Sequence, residues 1–423
     1  METYGKILTF AMPAFLLLVL LEKAYGWFKH KDKFKAMDML SSLTSGYTNS
    51  VKDVLGLSVS ILTYEYMVSH WTIYKIESTI WVYVIAFVAL DLMGYIVHRM
   101  SHAINFFWNK HAIHHSSEEF NLACALRQSI SSFVSLFTVF LLPAALLGVD
   151  SKVIAVIAPL HLFAQFWYHT VYIGKMGILE HIIVTPSHHR VHHAINAEYL
   201  DKNHGQIFII WDKLFGTFQA ELAHVPPVYG ITRPASTWNP IKINFQHLWF
   251  LTKDAFHTQN WQDKLRIWFM PTGWRPADVA ARFPDNKIDN PYDFERYAPK
   301  SSMPMLIWTW IQFLFTFFLL FYLFGNVATI GLPNIFIYGG FVYLTVFAYT
   351  ELMDRNPYAI LWEIIKNGLG FALIFSLGDW FGSSKIYPWT TAALMVYFVV
   401  SSIATAYFVW FEIRKNKTQT ALV

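Results

Sequence analysis

The stretch from Ser301 to Thr350 contains 50 residues without one charged side chain. A helix needs about 20 mainly apolar residues to cross a bilayer, so this stretch has room for two spans. The whole chain agrees with that reading, because 55% of its residues are hydrophobic and only 14% are charged, against roughly 25% charged residues in soluble domains. We therefore predict an all-α polytopic membrane protein.

Nine apolar segments are predicted to cross the membrane. A break near Gly325 or Gly331 divides the longest stretch into two of them. The predicted spans are Ile7–Leu21, Gly46–Ser69, Ile80–Val97, Ser129–Val149, Val153–Ile173, two within Ser301–Thr350, Gly368–Trp380 and Ile386–Phe411. The chain then divides into N-terminal spans (1–79), a histidine-rich region (80–221), a cytoplasmic or interfacial segment (222–300) and C-terminal spans (301–423).

Positive charge predicts the orientation of these spans, since cytoplasmic loops are enriched in Lys and Arg. Lysines are concentrated between Lys23 and Lys35, and Arg414–Lys417 forms a basic tail. This pattern places the histidine motifs, the Gly174–Lys300 body and the tail on the cytoplasmic side, with Asp150 opposite. The membrane would be the endoplasmic reticulum in a eukaryote or the inner membrane in a bacterium.

The Gly174–Lys300 body mixes aromatic residues with Lys and Arg. Such a mixture suits helices that lie in the headgroup region of a membrane. A small folded cytoplasmic domain with its own core is an equally good interpretation of the same residues.

Histidines are concentrated in one part of the chain, since 13 of the 18 lie between His98 and His204. Three motifs have helical spacing, and on a helix rings three or four residues apart lie on neighbouring positions of one face. The motifs are His98 and His102; His111, His114 and His115; and His189, His192 and His193. Neutral imidazole binds zinc, iron, copper or nickel. Eight imidazoles exceed the need of one ion, so two metals are predicted.

Other residues bear on this metal site. The single cysteine, Cys124, excludes a disulfide framework and a thiolate-rich metal site. Asp91 and Tyr95 continue the face of His98 upstream, and Asp91 could accept the second ring hydrogen of a ligating histidine. The alternative for Asp91 is an ion pair with Arg99 or Arg127.

The three motifs resemble those of the fatty acid hydroxylase (sterol desaturase) superfamily, which are integral-membrane, non-haem di-iron enzymes. His98-x3-His102, His111-x2-His114-His115 and His189-x2-His192-His193 match its eight-histidine pattern. His169 matches a further histidine that often precedes the last motif. The resemblance implies two irons per chain, held by these nine residues, and makes 80–221 the catalytic region. His181, His188 and His204 receive no role.

Flanking residues resemble the alkylglycerol monooxygenase family within that superfamily. The similar segments are His114–Leu122, Ala125–Ser129, Thr185–His193, Asp201–Asn203 and Ile210–Phe218. The resemblance implies that O₂ hydroxylates the carbon next to an ether oxygen of a membrane lipid. The product would collapse to a fatty aldehyde and a glycerol derivative, with tetrahydrobiopterin as the reductant. No Gly-x-Gly-x-x-Gly fingerprint is present, so an external electron donor is expected; no nucleic-acid partner is expected.

Asn121, Arg127 and Gln128 follow the second motif and are predicted to hold the polar head of the lipid. Loop and helix-cap hydrogen bonding is the alternative for Asn121 and Gln128. Two other functions remain open. One is a sterol, carotenoid or fatty-acyl hydroxylase or desaturase of the same superfamily. The other is a metal transporter, although transport sites usually lie near the membrane midplane rather than at span ends.

Overall fold

The computed structural model describes residues 2–29, 35–60, 62–132, 134–135 and 137–414. Parts of both predicted basic segments lie outside the described residues, namely Lys31 and Lys33 in the first loop and Lys415 and Lys417 in the tail. The orientation that these charges indicate therefore stays a prediction.

Almost all of the regular secondary structure in the described part is helical, which confirms the predicted all-α membrane fold. Strands β1 (Val59–Ser60) and β2 (Val134–Ser135) form one short parallel pair. A π-helical turn, Phe408–Arg414, continues the last helix. The α-helices are α1 (Glu2–Phe28), α2 (Ala36–Val54), α3 (Tyr64–Trp71), α4 (Ile80–Ala103), α5 (Asn105–His115), α6 (Leu142–Leu146), α7 (Ser151–Phe163), α8 (Pro186–His192), α9 (Ile210–Phe215), α10 (Pro240–His257), α11 (Trp261–Arg266), α12 (Ala277–Arg282), α13 (Met303–Gly325), α14 (Val327–Ile330), α15 (Asn334–Met353), α16 (Ala359–Leu377) and α17 (Thr390–Tyr407).

Within the described residues, six helices are long and apolar enough to cross a membrane. They are α1, α4, α13, α15, α16 and α17 with its π-helical continuation. The prediction of nine spans is thus not confirmed, and three of the predicted segments have a different structure.

The predicted span Gly46–Ser69 is not one helix. α2 ends at Val54, and the short α3 begins only at Tyr64. α2 also buries polar side chains, including Ser42 and Thr44, which are both fully inaccessible. A helix that is polar on its buried face packs against protein partners, and its mixed composition does not mark a lipid-exposed span.

The predicted hairpin of spans Ser129–Val149 and Val153–Ile173 is built from short pieces. Pro143 stands in the first turn of the five-residue α6, where its missing N–H costs nothing. Gly148 then takes a left-handed conformation with φ 68° and ends the segment. α7 has only 13 residues and is about 20 Å long, which is shorter than the hydrocarbon core of a bilayer.

The predicted span Gly368–Trp380 belongs to a longer helix, α16, which starts nine residues earlier at Ala359. Two charged residues hide that start in the sequence. The ammonium of Lys366 lies 2.7 Å from a carboxylate oxygen of Glu363, and both side chains are almost completely buried. The pair compensates its own charge inside the helix bundle, as ionisable residues in membrane helices usually do.

The largest hydrophobic core surrounds α2, which packs against α1, α13 and α15. Leu40 and Leu43 of α2 and Phe313 and Leu320 of α13 belong to this core, and all four are buried. The hydroxyl of Thr44 is hydrogen-bonded to a tyrosine hydroxyl of α15 at 2.7 Å. α2 therefore joins the C-terminal bundle to the histidine-rich region, which contacts its other face.

The Gly174–Lys300 body lies against the histidine-rich region. α10 packs along α5, where the Asn109 side chain accepts a hydrogen bond from the backbone N–H of Leu248 at 2.8 Å. On its outer surface the body exposes large aromatic rings, with Phe256 79% and Phe269 71% accessible. This arrangement is the one expected for helices at a membrane surface.

Candidate metal centre

A sharp elbow between α4 and α5 brings the first two histidine motifs together. Asn105, the first residue of α5, holds this elbow in place through three hydrogen bonds. Its backbone N–H donates to the carbonyl of Met270. Its side-chain amide donates to the carbonyl of Ile267 at 3.0 Å and accepts a hydrogen bond from the N–H of Gly273 at 3.0 Å. α8 carries the third motif, and His193 directly follows the helix. His169 lies after α7.

The ring nitrogens of these nine histidines form two groups, and within each group the nitrogens lie within 4.8 Å of one another. The five-histidine group contains His98, His102, His111, His115 and His192. The four-histidine group contains His114, His169, His189 and His193. The structure thus brings together every histidine that the sequence assigned to the metal site.

Each of the second and third motifs is divided between the two groups. An α-helix turns 100° per residue, so positions i and i+4 differ by about 40° and share a face. His111 and His115 accordingly enter one group, and His189 and His193 the other. His114 stands about 100° from His115 and faces the second group. The second and third motifs therefore do not each converge on one point, and each group is formed by rings from different motifs.

Backbone carbonyls orient several of the rings. His98 Nδ1 lies 2.8 Å from the carbonyl of His204, His192 Nδ1 2.9 Å from that of Lys202, and His169 Nδ1 3.0 Å from that of Gln165. A carbonyl oxygen can only accept a hydrogen bond, so Nδ1 carries the proton in each of these rings. A neutral ring then directs the lone pair of Nε2 into its group.

Where Nδ1 carries the proton, the inward Nε2 has a lone pair and no proton. Nε2 of His98 is 2.9 Å from Nε2 of His111, and Nε2 of His169 is 2.8 Å from Nε2 of His189. Nε2 of His102 and of His192 are buried and have no hydrogen-bond partner among the described residues. Converging lone pairs without donors are what a bound cation requires, so both groups fit a metal ion held by imidazole.

Burial keeps these rings neutral. Desolvation lowers the pKa of His111, His115, His189 and His193 well below the usual value, and the neighbouring imidazoles lower it further. Desolvation likewise lowers the pKa of His114 to about 4. Neutral imidazole is the form that binds a metal ion, so the groups are ready for metal at neutral pH.

A short loop, Asp201–His204, supports three histidines of the five-histidine group. Besides the carbonyl contacts of His98 and His192, a carboxylate oxygen of Asp201 lies 3.4 Å from Nδ1 of His102. The loop has an unusual backbone, since Asp201 has φ 55°. Residues that hold a non-glycine left-handed conformation cluster at functional sites.

Asp212 holds the Asp201–His204 loop in place through hydrogen bonds. Its buried carboxylate accepts hydrogen bonds from the backbone N–H groups of His204 and Gly205, both at 2.7 Å, and from the hydroxyl of Thr217 at 2.6 Å. Sequence reasoning missed this role, although the matched segment Ile210–Phe218 contains both side chains. Tyr95 joins the same network, because its hydroxyl lies 2.9 Å from that of Thr217.

Asp91 does not contact a histidine of either group. Its buried carboxylate accepts hydrogen bonds from His161 at 2.7 Å, from the backbone N–H of Phe208 at 3.0 Å and from the indole N–H of Trp211 at 2.8 Å. The predicted bond to a ligating histidine is therefore wrong, as is the alternative ion pair with an arginine. α7 places His161 against Asp91, a long-range contact with no sequence signature.

The three residues predicted to hold a lipid head have different environments. Arg127 is 1% exposed. Its guanidinium is already hydrogen-bonded within the protein, to Asp38 at 3.0 Å, Ser42 at 2.9 Å and Ser116 at 2.8 Å. The Asn121 amide is buried, and its Nδ2 has no hydrogen-bond partner within the described chain. Gln128 is exposed and borders a groove of about 120 Å³ between α1 and α2.

The three unassigned histidines lie outside both groups. His188 accepts a hydrogen bond from the backbone N–H of Thr185 and caps the start of α8. His204 is buried beside the five-histidine group, with its ring centre 5.0 Å from that of His102. Its Nε2 contacts the carbonyl of Asp201 at 3.0 Å, and its Nδ1 is without a partner in the described ranges.

Comparison with known proteins connects this geometry to a family. Residues 83–217 match the fatty acid hydroxylase family. Human alkylglycerol monooxygenase is 33% identical over 402 residues, which cover 94% of this chain and 87% of the human protein. The Xenopus tropicalis enzyme is 31% identical, covering 83% of this chain and 78% of its own length. The Danio rerio enzyme is 36% identical, covering 65% and 61%. No solved structure matches this chain. The chain therefore belongs to the alkylglycerol monooxygenase family.

Proposed function

We propose that this protein is an O₂-dependent di-iron monooxygenase that cleaves the ether bond of alkylglycerols. The observation that carries the proposal is the pair of groups of five and four imidazole nitrogens, in a chain of this family. The five-histidine group would hold one iron and the four-histidine group the other. When bound, the irons supply the activation of O₂.

The reaction balances with an external reductant. One atom of O₂ enters a C–H bond next to the ether oxygen, and the other leaves as water with two electrons and two protons from tetrahydrobiopterin. The resulting hemiacetal breaks its C–O bond to give a fatty aldehyde and a glycerol derivative. The sequence offers no fingerprint for a flavin or nicotinamide dinucleotide, so the electrons are proposed to come from tetrahydrobiopterin as an external donor.

Aromatic side chains keep water away from both groups. The ring of Phe120, which is 1% exposed, lies 5.2 Å from that of His193. The ring of Tyr168 lies 4.4 Å from that of His189, and that of Trp108 lies 5.1 Å from that of His102. A dry cavity protects a reactive oxidant from solvent and strengthens its electrostatic interactions with the protein.

The substrate is proposed to approach along α1 and α2. Apolar residues such as Met12 and Phe15 of α1 and Leu43 of α2 line the groove that Gln128 borders. An alkyl chain in this groove would place its polar end at the segment that follows the second histidine motif. The free amide donor of Asn121 and the exposed amide of Gln128 would then bind oxygen atoms of the glycerol head.

Arg127 has a positioning role in this proposal, in place of the predicted contact with the head group. Its side chain is occupied by protein partners, and its carbonyl lies 3.3 Å from Nδ1 of His114. The ion pair with Asp38 thus supports a ring of the four-histidine group through the backbone of Arg127.

Product analysis tests the reaction. Purified protein incubated with ¹⁸O₂, tetrahydrobiopterin and an equimolar mixture of an alkylglycerol, a sterol and a carotenoid should form fatty aldehyde only, consuming one reductant per aldehyde. Label should be found in the water and in the aldehyde before exchange with solvent. Oxidised sterol or carotenoid with intact ether would move the function to another branch of the superfamily, and no oxidation of any lipid would contradict a monooxygenase.

Labelling from one side of the membrane tests the proposed orientation, with the metal centre facing the cytoplasm. Single cysteines replacing Asp150 and Ser236, both exposed, should react from opposite sides in a background lacking Cys124. Burial raises the pKa of Cys124 to about 12, so this thiol should itself react slowly. Labelling of both positions from one side would contradict the topology.

A further inference from the structure

An apolar groove runs between α13 and α17, away from the histidine groups. It encloses about 620 Å³, a volume in the range of ligand-binding pockets. Its walls include Ile307, Trp308 and Ile311 of α13 and Val400, Ile403 and Ala404 of α17. Because both helices are candidate membrane spans, the groove opens toward the acyl chains of the bilayer.

A polar pocket of about 450 Å³ continues the groove at one end. The two cavities share Pro304, Tyr407 and Phe408. Lys300 and Arg355 line the polar pocket together with a single carboxylate. The combined cavity is therefore apolar along the helices and polar where the helices end, like a membrane lipid.

The charges in the polar pocket do not cancel. Its carboxylate, Glu412, accepts hydrogen bonds from the backbone N–H and hydroxyl of Ser302, at 3.0 and 2.6 Å, and from Arg355 at 2.9 Å. The side chain of Lys300 is exposed at the mouth of the pocket. Two cationic groups face one anionic group, so the pocket has an excess of one positive charge and suits an anion.

Two local features mark the junction between groove and pocket. The indole Nε1–H of Trp308 is buried and finds no hydrogen-bond partner among the described residues. This N–H is covered by protein atoms, so the wall of the groove itself is apolar. The junction also coincides with the change from α-helix to π-helix at Phe408, and π-helical turns occur frequently at functional sites.

We propose that this cavity binds one phospholipid of the surrounding bilayer, preferentially an anionic one. One acyl chain lies between α13 and α17. The phosphate lies beside Lys300 and Arg355. Exposed aromatic residues around the site, including Trp410 at 50% and Phe411 at 67%, match the aromatic belt found at headgroup level.

Native mass spectrometry of the full chain from nanodiscs tests this site. In discs of equal phosphatidylglycerol and phosphatidylcholine, the wild type should retain one phospholipid and favour phosphatidylglycerol. Ala404→Phe fills the groove and should lose the retained lipid. Val396→Phe is the matched control, because Val396 is 63% exposed on the same helix and lies outside the groove. Lys300→Gln should lower the preference for phosphatidylglycerol roughly fivefold, whereas Lys253→Gln, at an exposed site on α10, should not.

Equal lipid retention in the Ala404→Phe and Val396→Phe variants would overturn the groove site. An unchanged lipid preference in Lys300→Gln would overturn the phosphate assignment, and so would recovery of an alkylglycerol without phosphate. The measurement needs no turnover. Its result is therefore independent of the metal and of the proposed reaction.

Discussion

Replacing His189 by alanine is expected to abolish turnover and to remove iron from the four-histidine group. The variant leaves three imidazoles in that group and disrupts two of the short nitrogen contacts, to His169 at 2.8 Å and to His193 at 3.0 Å. Because a catalytic metal supplies several kcal/mol of transition-state stabilisation, activity should fall by at least about 100-fold. Iron per chain, measured by mass spectrometry of the digested protein, should fall from about two toward one.

His115→Ala makes the matched change in the five-histidine group, which keeps four imidazoles. Activity should fall as far, but more iron should remain than in His189→Ala, because four ligands still suffice to hold an ion. His70→Ala is the control for general effects of the substitution, since His70 is exposed on α3. A single stoichiometric zinc, or activity that survives both changes, would contradict the di-iron proposal.

Replacing Asp212 by alanine is expected to weaken metal binding without touching a proposed ligand. The change removes the acceptor for the N–H groups of His204 and Gly205, and the carbonyl of His204 then loses its fixed position against His98. Changes in such supporting groups typically cost 10–100-fold in metal affinity or activity. Iron affinity and activity should both fall by about that factor, with the loss confined to the five-histidine group in a Mössbauer spectrum.

Graded variants separate this positioning role from a general loss of stability. Thr217→Val removes the hydroxyl contacts to Asp212 and Tyr95 but keeps both bonds from Asp212 to the loop, so its effect should be the smallest. Asp212→Asn retains one acceptor oxygen and should lie between Thr217→Val and Asp212→Ala. If all three variants lose thermal stability alike, while iron per folded chain stays unchanged, Asp212 serves the fold alone.

Membrane class, helical fold and the set of histidines that could hold metal followed from the sequence. Each is a local property of the chain. Long apolar runs must form helices to satisfy their backbone in lipid, and spacing of three or four residues places rings on neighbouring positions of one helix. The grouping of eight histidines could therefore be expected from spacing before any contact was known, and the ninth, His169, followed from the resemblance to the superfamily.

Contacts between distant segments decided everything else about the centre. The division into five and four follows from the elbow at Asn105, which is held by residues 267–273. Asp91 pairs with His161 across 70 positions, and Arg127 pairs with Asp38 across 89. No spacing rule reaches such distances, so the predicted roles of Asp91 and Arg127 rested on proximity in sequence alone.

The number of membrane spans also could not be obtained from the sequence alone. Hydropathy measures what each residue prefers, whereas burial depends on what surrounds it. The Glu363–Lys366 pair concealed the start of a long membrane helix because hydropathy counts both residues as charged, although at i,i+3 spacing they pair within the helix. The apolar segment 129–149 suggested a span, yet its Pro143 and Gly148 break the backbone into short turns. The sequence by itself determined which residues are available for metal and membrane, and the tertiary structure decided their long-range partners, because groups far apart in the chain interact only where the fold brings them together.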